Sequence, residues 1–257
     1  MKLKAGSQKT PILIAHGIGG RANFSELAKH ISTEHAIYGI QARGVDGMEE
    51  PFDRVEDMAA FYLKALGDFR ALDSVLLIGY SFGGLIALEI AQRLAAAGQH
   101  VALLTLVDSY PHPRFLPSGQ RLQLFARKIG RHVADLRHKP LGVALNQVKD
   151  TVRSRMHVAE ISTESCRLSF AQTTLRVKQS DWLAMKRYRP RFYRGRIRFV
   201  RPETNSYLPT DPTFFWKNLA AEFGVETVPG DHLGMVSTHF KTLAAVLSRY
   251  VRESSAK

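Results

Sequence analysis

The chain has 257 residues, of which 45% are hydrophobic and 23% charged, with a single cysteine and a net charge of +13. That length buries a large core, and the composition is that of a soluble globular protein rather than a disordered or fibrous one. No apolar run approaches a membrane span, no secretory signal opens the chain, and a lone Cys166 excludes an internal disulfide and any cysteine-rich metal site; a cytoplasmic location is the expectation.

Residues 11–15, Pro-Ile-Leu-Ile-Ala, read as a buried strand running into His16-Gly17-Ile18-Gly19-Gly20. A short helix is expected over 24–31, a strand over 36–40, and a glycine-punctuated loop over 41–47. Val55, Met58, Ala59, Tyr62, Leu63 and Leu66 recur at helical spacing and predict a helix over 55–69. The apolar run 75–78 is the next strand. It ends at Gly79-Tyr80-Ser81-Phe82-Gly83-Gly84 and is followed by a helix to about residue 97. Residues 101–107 form another continuous apolar strand. Apolar runs alternating with helices imply a mostly parallel sheet with helices on both faces.

The rhythm stops near Pro111. Residues 116–185 read as several amphipathic helices, with a small side chain, Cys166, in the lid or core. A strand over 196–200, a short helix over 213–220, a strand over 225–229, the loop Gly230-Asp231-His232 and a final helix over 238–251 complete the chain. With no internal repeat or linker, one α/β domain over 1–257 carrying a helical insertion at about 112–187 is the expected organisation. The charge is concentrated there. Residues 112–198 hold 20 Lys and Arg against 5 Asp and Glu, and the rest of the chain holds 16 against 18. Arg121, Arg127 and Arg131 fall at helical spacing within it. Such a block suits an acidic protein partner, an anionic membrane, nucleic acid or a merely solvated surface.

Gly79-x-Ser81-x-Gly83 between a strand and a helix has the context of a nucleophile elbow, in which a sharp turn exposes the serine. Glycines on either side let neighbouring backbone approach it, and the helix N-terminus favours developing negative charge. A serine hydroxyl needs a base to take its proton, and a carboxylate to orient and support that base. His232, in a glycine-flanked loop after the last strand, is the candidate base. His16 sits in a His-Gly-x-Gly loop better suited to presenting the Ile18 N–H, alongside the Phe82 N–H, to an oxyanion; His16 itself is expected to fix that loop. For the acid, Asp108 closes the strand 101–107, where catalytic groups of parallel sheets gather. Asp211 follows the later strand, and Asp211-Pro212 also reads as a helix start. Asp231 is better suited to anchoring its own loop.

Several separated segments together resemble the α/β-hydrolase thioesterase domains of nonribosomal peptide synthetases and polyketide synthases. They include 11–17, 39–44, 79–84 and Val107-Asp108-Ser109-Tyr110-Pro111, then Tyr188-Arg189-Pro190 with Tyr193-Arg194-Gly195, Asp211-Pro212 with Trp216, and Val228-Pro229-Gly230-Asp231-His232. They follow the family's order across nearly the whole chain. The resemblance implies Ser81 as nucleophile, His232 as base, Asp108 as acid and a helical lid supplied by the basic insertion. It also implies a phosphopantetheine thioester as substrate, carried on an acyl or peptidyl carrier protein or as acyl-CoA, with no metal and no bound cofactor. Rival readings are a carboxylic-ester hydrolase with the same triad and a non-catalytic hydrolase fold that binds an acyl ligand or partner. Nucleic acid is supported by charge alone, without a recognised binding motif.

Overall fold

In the computed structural model the strands are β1 (Lys2–Lys4), β2 (Gln8–Ala15), β3 (His35–Ile40), β4 (Val75–Tyr80), β5 (Val101–Val107), β6 (Tyr193–Pro202) and β7 (Ala220–Val228). The helices are α1 (Ser25–His30), α2 (Val55–Ala65), α3 (Gly83–Ala96), α4 (Phe170–Arg187), α5 (Thr213–Trp216), α6 (Gly234–Ser237) and α7 (Phe240–Ser255). The structure describes residues 1–21, 23–67, 72, 74–115, 118, 119, 122, 170–204 and 211–255. By its contacts the chain divides into two compact units, 1–116 with 168–257 and 117–167, and every element just named belongs to the first. Within the expected insertion at 112–187, the described elements are a 3-10 turn at Pro113–Phe115 and α4. Cys166, Arg121, Arg127 and Arg131 lie outside the described residues.

The strands lie in one sheet in the order β1-β3-β2-β4-β5-β6-β7. β1 is antiparallel to β3, and all other neighbours are parallel. All six residues of β4 are buried, as expected of a central strand covered on both faces. Alternate side chains feed two cores. Leu13, Leu77, Leu104, Leu106 and Phe199 pack with α2 and α3 on one face. Ile12, Ile14, Leu76, Ile78 and Val200 pack with α1 and α7 on the other, through Leu27, Leu243 and Leu247. Among the described residues no helix is long and apolar enough to cross a membrane.

Some boundaries differ from the expectations. The predicted helix over 55–69 ends at Ala65, because Gly67 takes a φ of 74°, the left-handed conformation that closes helices at glycine. The helix expected over 213–220 shortens to α5 and a 3-10 turn, and β7 starts at Ala220 rather than 225. β7 is an edge strand with Ala221 and Glu222 exposed, so its first half lacks the apolar run that marks a buried strand. β1, three residues long, carries no apolar run of its own.

α4 buries Thr173, Val177, Asp181, Ala184 and Met185, a stripe at helical spacing. Its end is tied to α3 through Glu89, a buried carboxylate that accepts hydrogen bonds from Tyr188 Oη (3.1 Å), Arg93 Nε (2.8 Å) and Arg191 (3.3 Å). Ion pairs Arg176–Glu50 and Arg187–Asp53 tie the same helix to the segment before α2. A buried carboxylate is costly unless it is paired in this way, so α4 docks in one place.

Candidate active site

Ser81 sits between β4 and α3 with a φ of 55°, a conformation uncommon outside glycine. Two features hold it there. Its N–H donates to Val107 O (2.8 Å), prolonging the β4–β5 pairing into the turn. A Cβ at Gly83 would overlap the carbonyl oxygens of Ala15 and His16, so helix α3 reaches the end of β2 only because that position is glycine. The Ser81 hydroxyl is thereby presented at the carboxyl edge of the sheet, where parallel strands gather their ligands.

Asp108, just after β5, repeats the device. Its φ is 43°, and its N–H donates to Val200 O at 2.8 Å. The neighbouring Ser109 O accepts the buried Trp216 indole N–H (2.9 Å), which locks the turn from α5. The Asp108 carboxylate, 2% exposed, accepts the His232 Nδ1 proton at 2.6 Å. Because Nδ1 donates, neutral His232 keeps an unprotonated Nε2, the atom that takes up a proton.

The His232 loop is braced at three points. Asp231 Oδ1 accepts the Gly234 N–H (2.7 Å), Gly230 takes a φ of 90°, and Tyr80 Oη donates to His232 O at 2.7 Å. The Tyr80 and His232 rings also stack, with centroids 4.9 Å apart and planes at 20°. The residue preceding the serine therefore carries the histidine. Asp211 makes a different contact: its Oδ1 accepts the Thr213 N–H (2.8 Å) at the start of α5. Of the three acids weighed from the sequence, Asp108 is the one whose hydrogen bond reaches His232.

Tyr80→Phe keeps the stacked ring and removes one hydrogen bond, worth about 1 kcal/mol. Its expected effect is a fall in kcat of about tenfold at most, with KM for a small thioester unchanged. Steady-state kinetics on the purified variant check it.

The loop after β2 places Gly17 against the serine: a Cβ there would stand 3.6 Å from Ser81 Cβ. Beneath it His16 is fully buried, and burial pushes its pKa down to about 4, so the ring is neutral at pH 7. His16 Nδ1 lies 2.8 Å from Gly17 O, which only accepts, so Nδ1 carries the proton. Nε2 then accepts from Tyr62 Oη at 3.0 Å. His16 thus braces the loop and is no candidate base. Gly19 N–H is taken by Asp181 Oδ2 (2.8 Å) and Ser81 N–H by Val107 O. Those two are engaged, and Ile18 and Phe82 are the donors that the sequence reading put forward. Among the described residues no group of three or more His, Cys, Asp and Glu side chains could hold a metal ion.

Sequence reasoning missed Tyr80, Tyr62 and Asp181 as partners of these loops. A signal existed for Asp181, the one acid in α4, on the buried stripe of an otherwise basic helix.

A mostly parallel sheet, a serine on a strained strand-to-helix turn, and a histidine–aspartate pair formed by the loops after β7 and β5 define an α/β-hydrolase. The family model for the thioesterase domain matches residues 10–251. The chain belongs to that family, of the type found in nonribosomal peptide synthetases and polyketide synthases, and it is a thioesterase, an enzyme acting on thioester bonds.

A stretch of 118 residues is 35% identical to the dimodular nonribosomal peptide synthase of Bacillus subtilis (strain 168), covering 46% of this chain and 5% of that protein. Another of 111 residues is 34% identical to atromentin synthetase nps3 of Serpula lacrymans, covering 43% and 12%. The chain thus spans a small part of the length of these relatives. Among solved structures, the NocB thioesterase domain in covalent complex with a fluorophosphonate nocardicin G analog superposes with a TM-score of 0.66 at 21% identity, covering 94% of each chain. The Vlm2 thioesterase domain bound with a dodecadepsipeptide gives 0.64 at 25% identity, covering 97% of this chain and 96% of that one.

Proposed function

We propose that this chain releases an acyl, peptidyl or polyketide chain from a phosphopantetheine thioester through an acyl-enzyme on Ser81. The observation that carries the reading is the 2.6 Å hydrogen bond from His232 to buried Asp108, beside a serine held at positive φ. His232 Nε2 takes the Ser81 proton as Oγ attacks the thioester carbonyl, and Asp108 orients the imidazole and supports its cation. The oxyanion accepts from the Ile18 and Phe82 N–H groups. The carbon–sulfur bond breaks, and the thiol leaves with the proton from His232. Water, or an amine or hydroxyl of the acyl chain itself, then attacks the ester, giving hydrolysis or cyclisation and returning the proton to Ser81. Nucleophile, base and oxyanion donors all come from the chain.

The relatives are synthetases, which supports a carrier-bound substrate; an acyl or peptidyl carrier protein is the proposed partner, with acyl-CoA as its small-molecule equivalent. A panel of acyl-thioesters with mass-spectrometric identification of products tests the proposal. Transient acyl adducts on the enzyme and released acid or macrocycle are expected. Faster turnover of matched oxygen esters would instead make it a carboxylic-ester hydrolase, and no adduct at all would make it a binding protein.

The proposed partner brings an acidic surface and a phosphate, which the basic segment 112–198 complements. Surface charges interact over about 10 Å at 0.1 M salt. Raising ionic strength is therefore expected to increase KM for an acyl-carrier substrate severalfold while leaving KM for an uncharged small thioester unchanged. Kinetics at two salt concentrations read this out, and an identical response of both substrates would remove the basic segment from carrier recruitment.

A further inference from the structure

We infer that Asp181 is a positioning residue for the oxyanion loop: from α4, 162 positions along the chain, its carboxyl grips the Gly19 N–H and so holds the adjoining Ile18 N–H in aim. The inference rests on the thioesterase reading above.

The glycines of the loop do not hold that aim by themselves. Gly19 and Gly20 have φ of 99° and 76°, and neither carries a side chain that packing could fix. What aims the Ile18 N–H is the set of bonds on either side of it. A trans peptide is planar, so Ile18 N–H points opposite to Gly17 C=O. Gly17 O accepts from His16 Nδ1 (2.8 Å) and from Gly20 N–H (3.2 Å), which sets that plane. The following plane, which joins Ile18 to Gly19, is set by Gly19 N–H on Asp181 Oδ2 at 2.8 Å. Beyond it, Gly20 O accepts the Ala42 N–H at 2.8 Å. Asp181 is thus the side chain that anchors the peptide immediately after the donor.

The residue type is an expensive one for this position. Asp181 is fully buried, and among the described residues its other oxygen, Oδ1, has no hydrogen-bond partner. Burial pushes its carboxyl up to about 7, with the Gly19 N–H opposing the shift. An apolar side chain would fill the site without that desolvation cost, as Val177, Ala184 and Met185 do on the same stripe. What an apolar side chain lacks is an acceptor for Gly19. The grip also has a rigid base. Val177 Cγ1 would stand 2.8 Å from a Cβ at Gly20, the Lys178 stem lies over Gly19, and Glu89 and two ion pairs hold α4 itself.

Asp181→Leu matches the shape and removes the acceptor; Asp181→Asn keeps an acceptor oxygen. Four quantities are measured on both variants and the wild type, the kinetic ones with a small uncharged thioester. They are kcat and KM, inhibition by a trifluoromethyl ketone, whose hemiketal oxyanion uses the same donors, and hydrogen exchange of the Gly19 amide. For Asp181→Leu the expected result is kcat lower by about 10- to 100-fold, as small misplacements of catalytic groups cost. KM should stay within about twofold, inhibition should weaken by the same factor as kcat, and Gly19 should exchange faster. Asp181→Asn should retain kcat within about threefold, which a need for the charge alone would not allow. Wild-type kcat or unchanged Gly19 exchange in Asp181→Leu overturns the inference, as does an equal kcat loss in both variants. Should Asp181→Leu fail to fold, Asp181→Ser, too short to reach Gly19, takes its place with the same expectations. A wild type without thioester turnover sinks the reading and the inference together. An active wild type with an unmoved Asp181→Leu sinks the inference alone.

Discussion

Ser81→Ala is expected to abolish the acyl adduct seen by intact mass after incubation with an acyl-thioester, and to lower turnover on the order of 10⁶-fold, as loss of the nucleophile does in other serine hydrolases. The backbone carries the prediction as much as the hydroxyl does. Ser81 holds a φ of 55° because its N–H is tied to Val107 and Gly83 clears the end of β2. Alanine carries the same Cβ into the same conformation, so thermal unfolding of the variant should match the wild type. A lost adduct in a folded variant assigns the nucleophile. An adduct of equal size on the variant would move the acylated group elsewhere and end the proposed mechanism.

Asp108→Asn is expected to lower kcat by about 10⁴-fold, the loss known for a triad whose carboxylate becomes an amide. The amide can donate to Nδ1 and so favour the wrong His232 tautomer, and it brings no charge to support the imidazolium. Asparagine tolerates positive φ, so the 43° turn survives the exchange. Asp211→Asn is the matched control. An asparagine oxygen accepts the Thr213 N–H as readily as aspartate does, and activity should stay within about threefold of wild type. Parallel kinetics on the two variants decide the matter. A larger loss at Asp211 would place the acid after β6 and leave the Asp108–His232 bond a structural one.

The central architecture was legible because continuous apolar runs and helical spacing are local signals. β2, β4 and β5, together with the helices α2 and α3, fall where those patterns predict them. Ser81 was legible for a similar reason: glycines two positions before and after a serine, between a strand and a helix, are a statement about backbone crowding that needs no tertiary information. His232 was visible from its glycine-flanked loop. The edge strands were not. β1 and the first half of β7 pair on one side and carry polar residues, so the neighbour that makes them strands lies elsewhere in the chain.

Sequence by itself therefore determined the fold class, and it put forward the serine and the histidine, each written in a few adjacent residues. Asp108 was already favoured over Asp211 and Asp231 by its strand-end position and the family resemblance; tertiary structure added the contact itself, the hydrogen bond from His232 to Asp108, because carboxylates near strand or helix ends differ in where they point. The reach is 124 positions for Asp108 to His232 and 162 for Asp181 to Gly19. Hydrogen bonds of such separation leave no periodic trace, since each needs one acceptor at one point in space and leaves the spacing of its neighbours unconstrained. They exist only once β5, α4 and the last loop have been brought to the same edge of the sheet.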